Sequence, residues 1–103
     1  MEKKVIAVIC GNERELRRAW YEYLLKFRKS NARNIQHGFI GKWVEYSDGG
    51  DVVTHYFYLP TDKTAMWGQW FDEVIWYGTV KSHPKYRDVI DYVRLHSRKV
   101  GEF

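Results

Sequence analysis

One cysteine, two prolines and no apolar run longer than Val5 to Cys10 are what this 103-residue chain offers least of. Each scarcity excludes something. A lone Cys10 cannot close an intramolecular disulfide, which fits a reducing compartment. The run that follows Met-Glu-Lys-Lys is too short for a signal-peptide core with a cleavage site, and nothing approaches the roughly 20 apolar residues of a membrane span. A cytoplasmic protein with no membrane partner is expected. Charge is also far from one-sided: 17 Lys and Arg against 13 Asp and Glu leave +4, which permits an anionic partner without demanding one.

What is present is apolar and aromatic. Hydrophobic residues make up 45% of the chain and aromatic ones 17%, enough to offset the entropy of ordering a backbone of this length. A single α/β domain over residues 1–103 is expected, with room for one sheet and two or three helices.

Val5 to Cys10 is short and rich in β-branched residues, and its unbroken apolarity predicts a central strand covered on both faces. Gly11 turns the chain, and Asn12 with Glu15 three positions later makes a capping-box-like helix start. Leu16, Ala19, Trp20, Tyr23, Leu24 and Phe27 recur at helical spacing, leaving Glu13, Arg14, Arg17, Arg18, Tyr21, Glu22 and Arg28 to water. Lys29 to Gly38 is polar. Trp43 to Tyr46 and Val52 to Leu59 then read as a β-hairpin around Ser47-Asp48-Gly49-Gly50-Asp51. Pro60 to Gln69 suits a short helix or a structured loop, Val74 to Tyr77 another strand. A last helix is expected with Ser82 as cap, Pro84 in its first turn and Tyr86, Val89, Ile90 and Val93 buried. The order β-α-β-β-(short α)-β-α predicts a small three-layer Rossmann-like or helicase-like sheet; the alternative is a ferredoxin-like α+β unit with an extra C-terminal helix.

Catalytic motifs are missing where the fold would hold them. Cys10-Gly11-Asn12 occupies a strand-to-helix turn, the place for phosphates and nucleophiles, yet G-x-x-x-x-G-K-[ST] and G-x-G-x-x-G are both lacking. A phosphatase loop would place Arg six residues after the cysteine, where Leu16 stands. Asp72-Glu73 precedes its strand instead of following it, so the pair is not placed to reach a metal. His37, His55, His83 and His96 have no second ligand at metal-binding spacing. No catalytic set, cofactor or metal is therefore expected; a Cys10-dependent enzyme is the alternative in that class and requires a depressed thiol pKa.

Binding chemistry is better represented. Arg14, Arg17 and Arg18 continue into Lys26, Arg28, Lys29 and Arg33, and Arg94, Arg98 and Lys99 form a second basic group, a pattern suited to phosphates. Lys26 to Arg33 contains no acid. Tyr56 and Tyr58 share a strand face opposite Phe57 and Leu59; with Trp67 and Trp70, and Trp76 nearby, they could stack on bases or anchor a protein interface. Trp43-Val44-Glu45-Tyr46 matches the last half of an RNA-recognition strand motif, and Phe39-Ile40-Gly41-Lys42 fails the first half.

Val5-Ile6-Ala7-Val8-Ile9-Cys10-Gly11-Asn12, and Gly68 to Thr79 followed by the Pro84 helix, together resemble small phage-encoded α/β proteins that look like helicase domains without a phosphate-binding loop. About half the chain carries the resemblance. It implies an accessory protein without ATPase activity and carries over no catalytic residue. The expected function is a non-enzymatic phage or mobile-element accessory factor engaging nucleic acid; the alternative is an inhibitor or adaptor docking on a host protein through its rings, and either admits a homo-oligomer.

Overall fold

The computed structural model describes residues 3–29, 33–37, 43–48 and 50–102. Its elements run β1 (Lys3–Cys10), α1 (Glu13–Lys29), β2 (Arg33–His37), β3 (Trp43–Asp48), β4 (Asp51–Tyr58), α2 (Lys63–Met66), β5 (Glu73–Tyr77), a 3-10 turn (Val80–Ser82), α3 (Tyr86–Leu95) and β6 (Val100–Glu102). The strands form one sheet in the order β2-β3-β4-β1-β5-β6. β4 and β5 flank β1 in parallel, β6 lies parallel beyond β5, and β3 and β2 extend the other side as antiparallel strands.

The apolar opening run explains the centre of this sheet. Alternate β1 residues point to opposite faces. Ile6, Val8 and Cys10 pack with Leu16, Ala19, Tyr23, Leu24 and Phe27 of α1, while Ala7 and Ile9 pack with Met66, Phe71, Val80 and with Val89 and Val93 of α3. Each fully buried aliphatic side chain contributes about 2 kcal/mol of transfer free energy, so a strand with both faces apolar is most stable in the middle. The expected Rossmann-type three-layer arrangement is the one observed. The ferredoxin-like alternative is excluded, because β5 runs parallel to β1 and the two long helices cover opposite faces.

Three expectations are corrected. Two strands lie outside the expected order: β2 inside the polar stretch, pairing with β3 across a register shift, and the three-residue β6 on the far edge. The final helix begins at Tyr86 with Lys85 as its cap position and no side-chain cap, so Pro84 precedes the first turn. The reason is local. Proline disfavours helical geometry in the residue before it, and His83 is extended at φ −72°, ψ 138°, which separates Ser82 and its 3-10 turn from α3.

Candidate nucleic-acid interface

α1 starts as its capping residues dictate. Asn12 Oδ1 accepts the Glu15 amide at 2.9 Å, and the Glu15 carboxylate reaches back to the Gly11 amide at 2.9 Å. It also accepts the amide of Thr79 at 3.1 Å and its hydroxyl at 3.0 Å, although Thr79 lies just past β5. The place next to the carboxyl ends of β1 and β5 is where α/β sheets commonly receive anionic ligands. Here a side chain of the protein supplies the anion. Two glycines make room for it: a Cβ on Gly11 or on Gly78 would fall 2.5 Å from Glu15 atoms, and Gly78 has φ +64° besides.

Further along α1, Arg14, Arg17, Arg18, Tyr21, Lys26 and Arg28 are all exposed. Positions 14, 18, 21, 25 and 28 are spaced by three and four residues, so Arg14, Arg18, Tyr21, Leu25 and Arg28 share one stripe. It runs for about 21 Å at 1.5 Å per residue. Among the acids of α1, Glu15 is held as above, and Glu22, itself exposed and four residues after Arg18, accepts the Tyr77 hydroxyl at 2.9 Å. Glu13 stands four residues before Arg17, on that arginine's side of the helix. Lys26 is set apart from the stripe, with its Nζ 6.0 Å from the Tyr23 ring centroid. The side chains of Lys29 and Arg33, and residues 30–32 between them, lie outside the described residues, as does Phe39 to Lys42.

The aromatic candidates divide. Trp67 is 62% and Trp70 57% exposed, whereas Tyr56 is half-buried and Tyr58 only 8% exposed. Tyr58 is thereby removed as a surface anchor; its ring packs edge-on against Phe71. Trp76 is buried too, against Tyr86. Strand alternation puts Tyr56 and Tyr58 opposite Phe57, but it cannot show that Met66 and Phe71 close over that face. Tyr21, an exposed ring within the arginine stripe, is a site residue that sequence reasoning misses; its position three after Arg18 is the available signal.

Cys10 is fully buried, and burial followed by the nearby Glu15 charge pushes its thiol up to about 12. This is opposite to what a nucleophile needs. The carboxylate of Asp72 ties the strands together by accepting the Val5 amide at 2.8 Å. Among the described residues no group of His, Cys, Asp and Glu could hold a metal ion, and no helix is long and apolar enough to cross a membrane. His55 lies in the core, His83 Nδ1 accepts the Lys85 amide at 3.0 Å and His96 stacks on Tyr92; the His37 side chain lies outside the described residues. A cleft of about 530 Å³ opens at the other, amino end of the strands, where Lys3, Lys4, Arg98 and Lys99 face Asp51, Asp72 and Glu73.

No family model matches the chain, and no curated protein does. Among solved structures it is similar to the large terminase from a thermophilic bacteriophage. One crystal form of that terminase gives a TM-score of 0.72 at 11% identity, covering 99% of this chain and 26% of the terminase. Another form gives 0.70 at 10% identity, with 99% and 25% covered. The complex with ADP gives 0.66 at 12% identity, with 99% and 26% covered. The chain thus spans about a quarter of that protein's length, and the likeness is one of fold.

Proposed function

We propose that this chain is a non-enzymatic nucleic-acid-binding domain, an accessory factor of a phage or mobile element, that lays the outward stripe of α1 along a phosphate backbone. The observation that carries this reading is the stripe itself: Arg14, Arg18 and Arg28 exposed in line with Tyr21, while Glu15 bonds to the strand ends. Arginines at this spacing meet successive phosphates, and a ring among them adds a contact for a sugar or base. The fold shared with a phage large terminase supports a phage setting. The Glu15 carboxylate at the strand ends, where a nucleotide phosphate would compete with it, supports a role without nucleotide hydrolysis.

Fluorescence anisotropy with labelled oligonucleotides tests it. Binding is expected at about 50 mM salt and is expected to weaken with a log–log slope of about −2 to −3, the value for three phosphate contacts. The triple variant Arg14→Glu, Arg18→Glu, Arg28→Glu is expected to lose binding by at least about tenfold. No binding at low salt, or unchanged binding by that variant, overturns the proposal.

A further inference from the structure

Of the five large apolar side chains that stand exposed among the described residues, Trp67, Trp70, Leu95 and Val100 belong to two segments that the main chain ties together. The Tyr92 hydroxyl donates to the Met66 carbonyl at 2.9 Å and accepts the Gly68 amide at 3.2 Å. The Phe71 amide donates to His96 and the Arg98 amide to Phe71, each at 3.0 Å. Residues 66–71 therefore lie against residues 92–98, on the side of the sheet away from α1. Neither Lys63 to Phe71 nor Tyr92 to Gly101 contains an Asp or a Glu, and the second segment carries Arg94, Arg98 and Lys99, all exposed. Of the nearby acids, Asp62 accepts the Leu59 amide, Asp91 and Glu102 flank the second segment, and Asp72 and Glu73, with Asp51, face Arg98 and Lys99 across the cleft at the amino ends of the strands.

Resting on the nucleic-acid reading above, we infer that this corner is a second contact, one that selects unpaired strands: Trp67 and Trp70 stack on splayed bases while Arg94, Arg98 and Lys99 hold the flanking phosphates. A duplex keeps its base faces stacked inside and cannot use the rings. An unpaired strand offers a π-face at every nucleotide, and the exposed Arg94, Arg98 and Lys99 suit its phosphates. The rings sit on the α2–β5 connection, tied to α3 by Tyr92, so they are held out from the surface without a core role to explain them. An acidic protein segment is the competing occupant.

The test compares wild type, the Trp67→Ala/Trp70→Ala variant and the α1 triple variant, each titrated with a thymidine oligonucleotide, a uridine oligonucleotide and a short duplex. The Trp variant is expected to lose at least about tenfold in affinity for the unpaired strands, with duplex affinity unchanged. Tryptophan emission of the wild type is expected to be quenched by the thymidine oligonucleotide, and the quenching to disappear in that variant. A charge-reversed Arg98→Glu/Lys99→Glu variant repeats the test should the Trp variant not fold by circular dichroism. Unchanged single-strand affinity in either folded variant overturns the inference while leaving the α1 reading standing. Wild type that binds no oligonucleotide overturns both, and wild type that binds an acidic peptide through these rings instead of the oligonucleotides overturns it by assigning the corner to a protein.

Discussion

Glu15 and Thr79, 64 residues apart in sequence, are joined by a carboxylate that accepts both the amide and the hydroxyl of the threonine. The same carboxylate holds Gly11, so one side chain fastens the start of α1 to the ends of β1 and β5. Glu15→Ala removes the acceptor from these donors at once. A loss of about 2 kcal/mol in stability is expected from charge-assisted bonds at a half-buried site, with Glu15→Gln losing less. Urea midpoints measure it, and a shift below about 0.5 kcal/mol for the alanine variant would show that the bonds contribute little.

Gly78 is the complementary test. An alanine there meets both a φ of +64° and a Cβ 2.5 Å from the Glu15 carboxyl carbon. Gly78→Ala is expected to cost about 2 kcal/mol or more, part from the backbone and part from displacing the carboxylate. Placing it in the Glu15→Ala background removes the second part. The double-mutant cycle should return a coupling of about 1 kcal/mol; strict additivity would mean the two do not touch.

His55 makes stability depend on pH. Burial, followed by the charges of Lys26 and Lys4, holds its imidazole down to about 4, and its Nδ1 has no hydrogen-bond partner among the described residues. The unfolded chain takes up the proton near pH 6.5 and the folded chain only near pH 4, so protons favour unfolding across that window. Stability should fall by about 3 kcal/mol as pH drops from about 6.5 to about 4 and then lose this dependence. His55→Phe, which keeps an aromatic ring beside Tyr23 and Phe27, should flatten the profile over that range. A slope identical in the variant would assign the effect to other groups.

Cys10 reports on unfolding. With the thiol buried and its pKa pushed up to about 12, modification by a thiol reagent at about pH 8 should proceed only through opened molecules. The rate should rise steeply with urea in step with the unfolding equilibrium. Fast labelling of the native protein without urea would contradict the placement of Cys10 against α1.

The parts of this fold that can be read from sequence are those whose signal is local. Val5 to Cys10 shows its burial on two faces because both sets of alternate residues are apolar, and α1 shows its inner face through Leu16 to Phe27. The strands β2 and β6 are different. Arg33-Asn-Ile-Gln-His has no apolar alternation, and Val100-Gly-Glu is a strand only because the open edge of β5 is beside it. The same divide runs through the candidate site. The arginine stripe follows from helical spacing, and Asn12 with Glu15 foretells the helix start. That Thr79 would complete the Glu15 contact, or that Tyr58 would be covered and Trp67 left open, depends on where distant segments come to rest.

The placement of β1 also sets the order in which the domain can form. It is synthesised before the other described strands, yet its pairings are Lys3 to Ile9 against Val52 to Tyr58 and Ile6 to Cys10 against Glu73 to Tyr77. Until those later strands leave the ribosome, the apolar segment has no sheet to join. α1 can cover one of its faces in the meantime; the other waits for residues near Val89. Assembly of the domain is accordingly a late, largely single event dominated by non-local pairing, slower than for a helical chain of equal length, and its nascent form depends on protection of the opening strand.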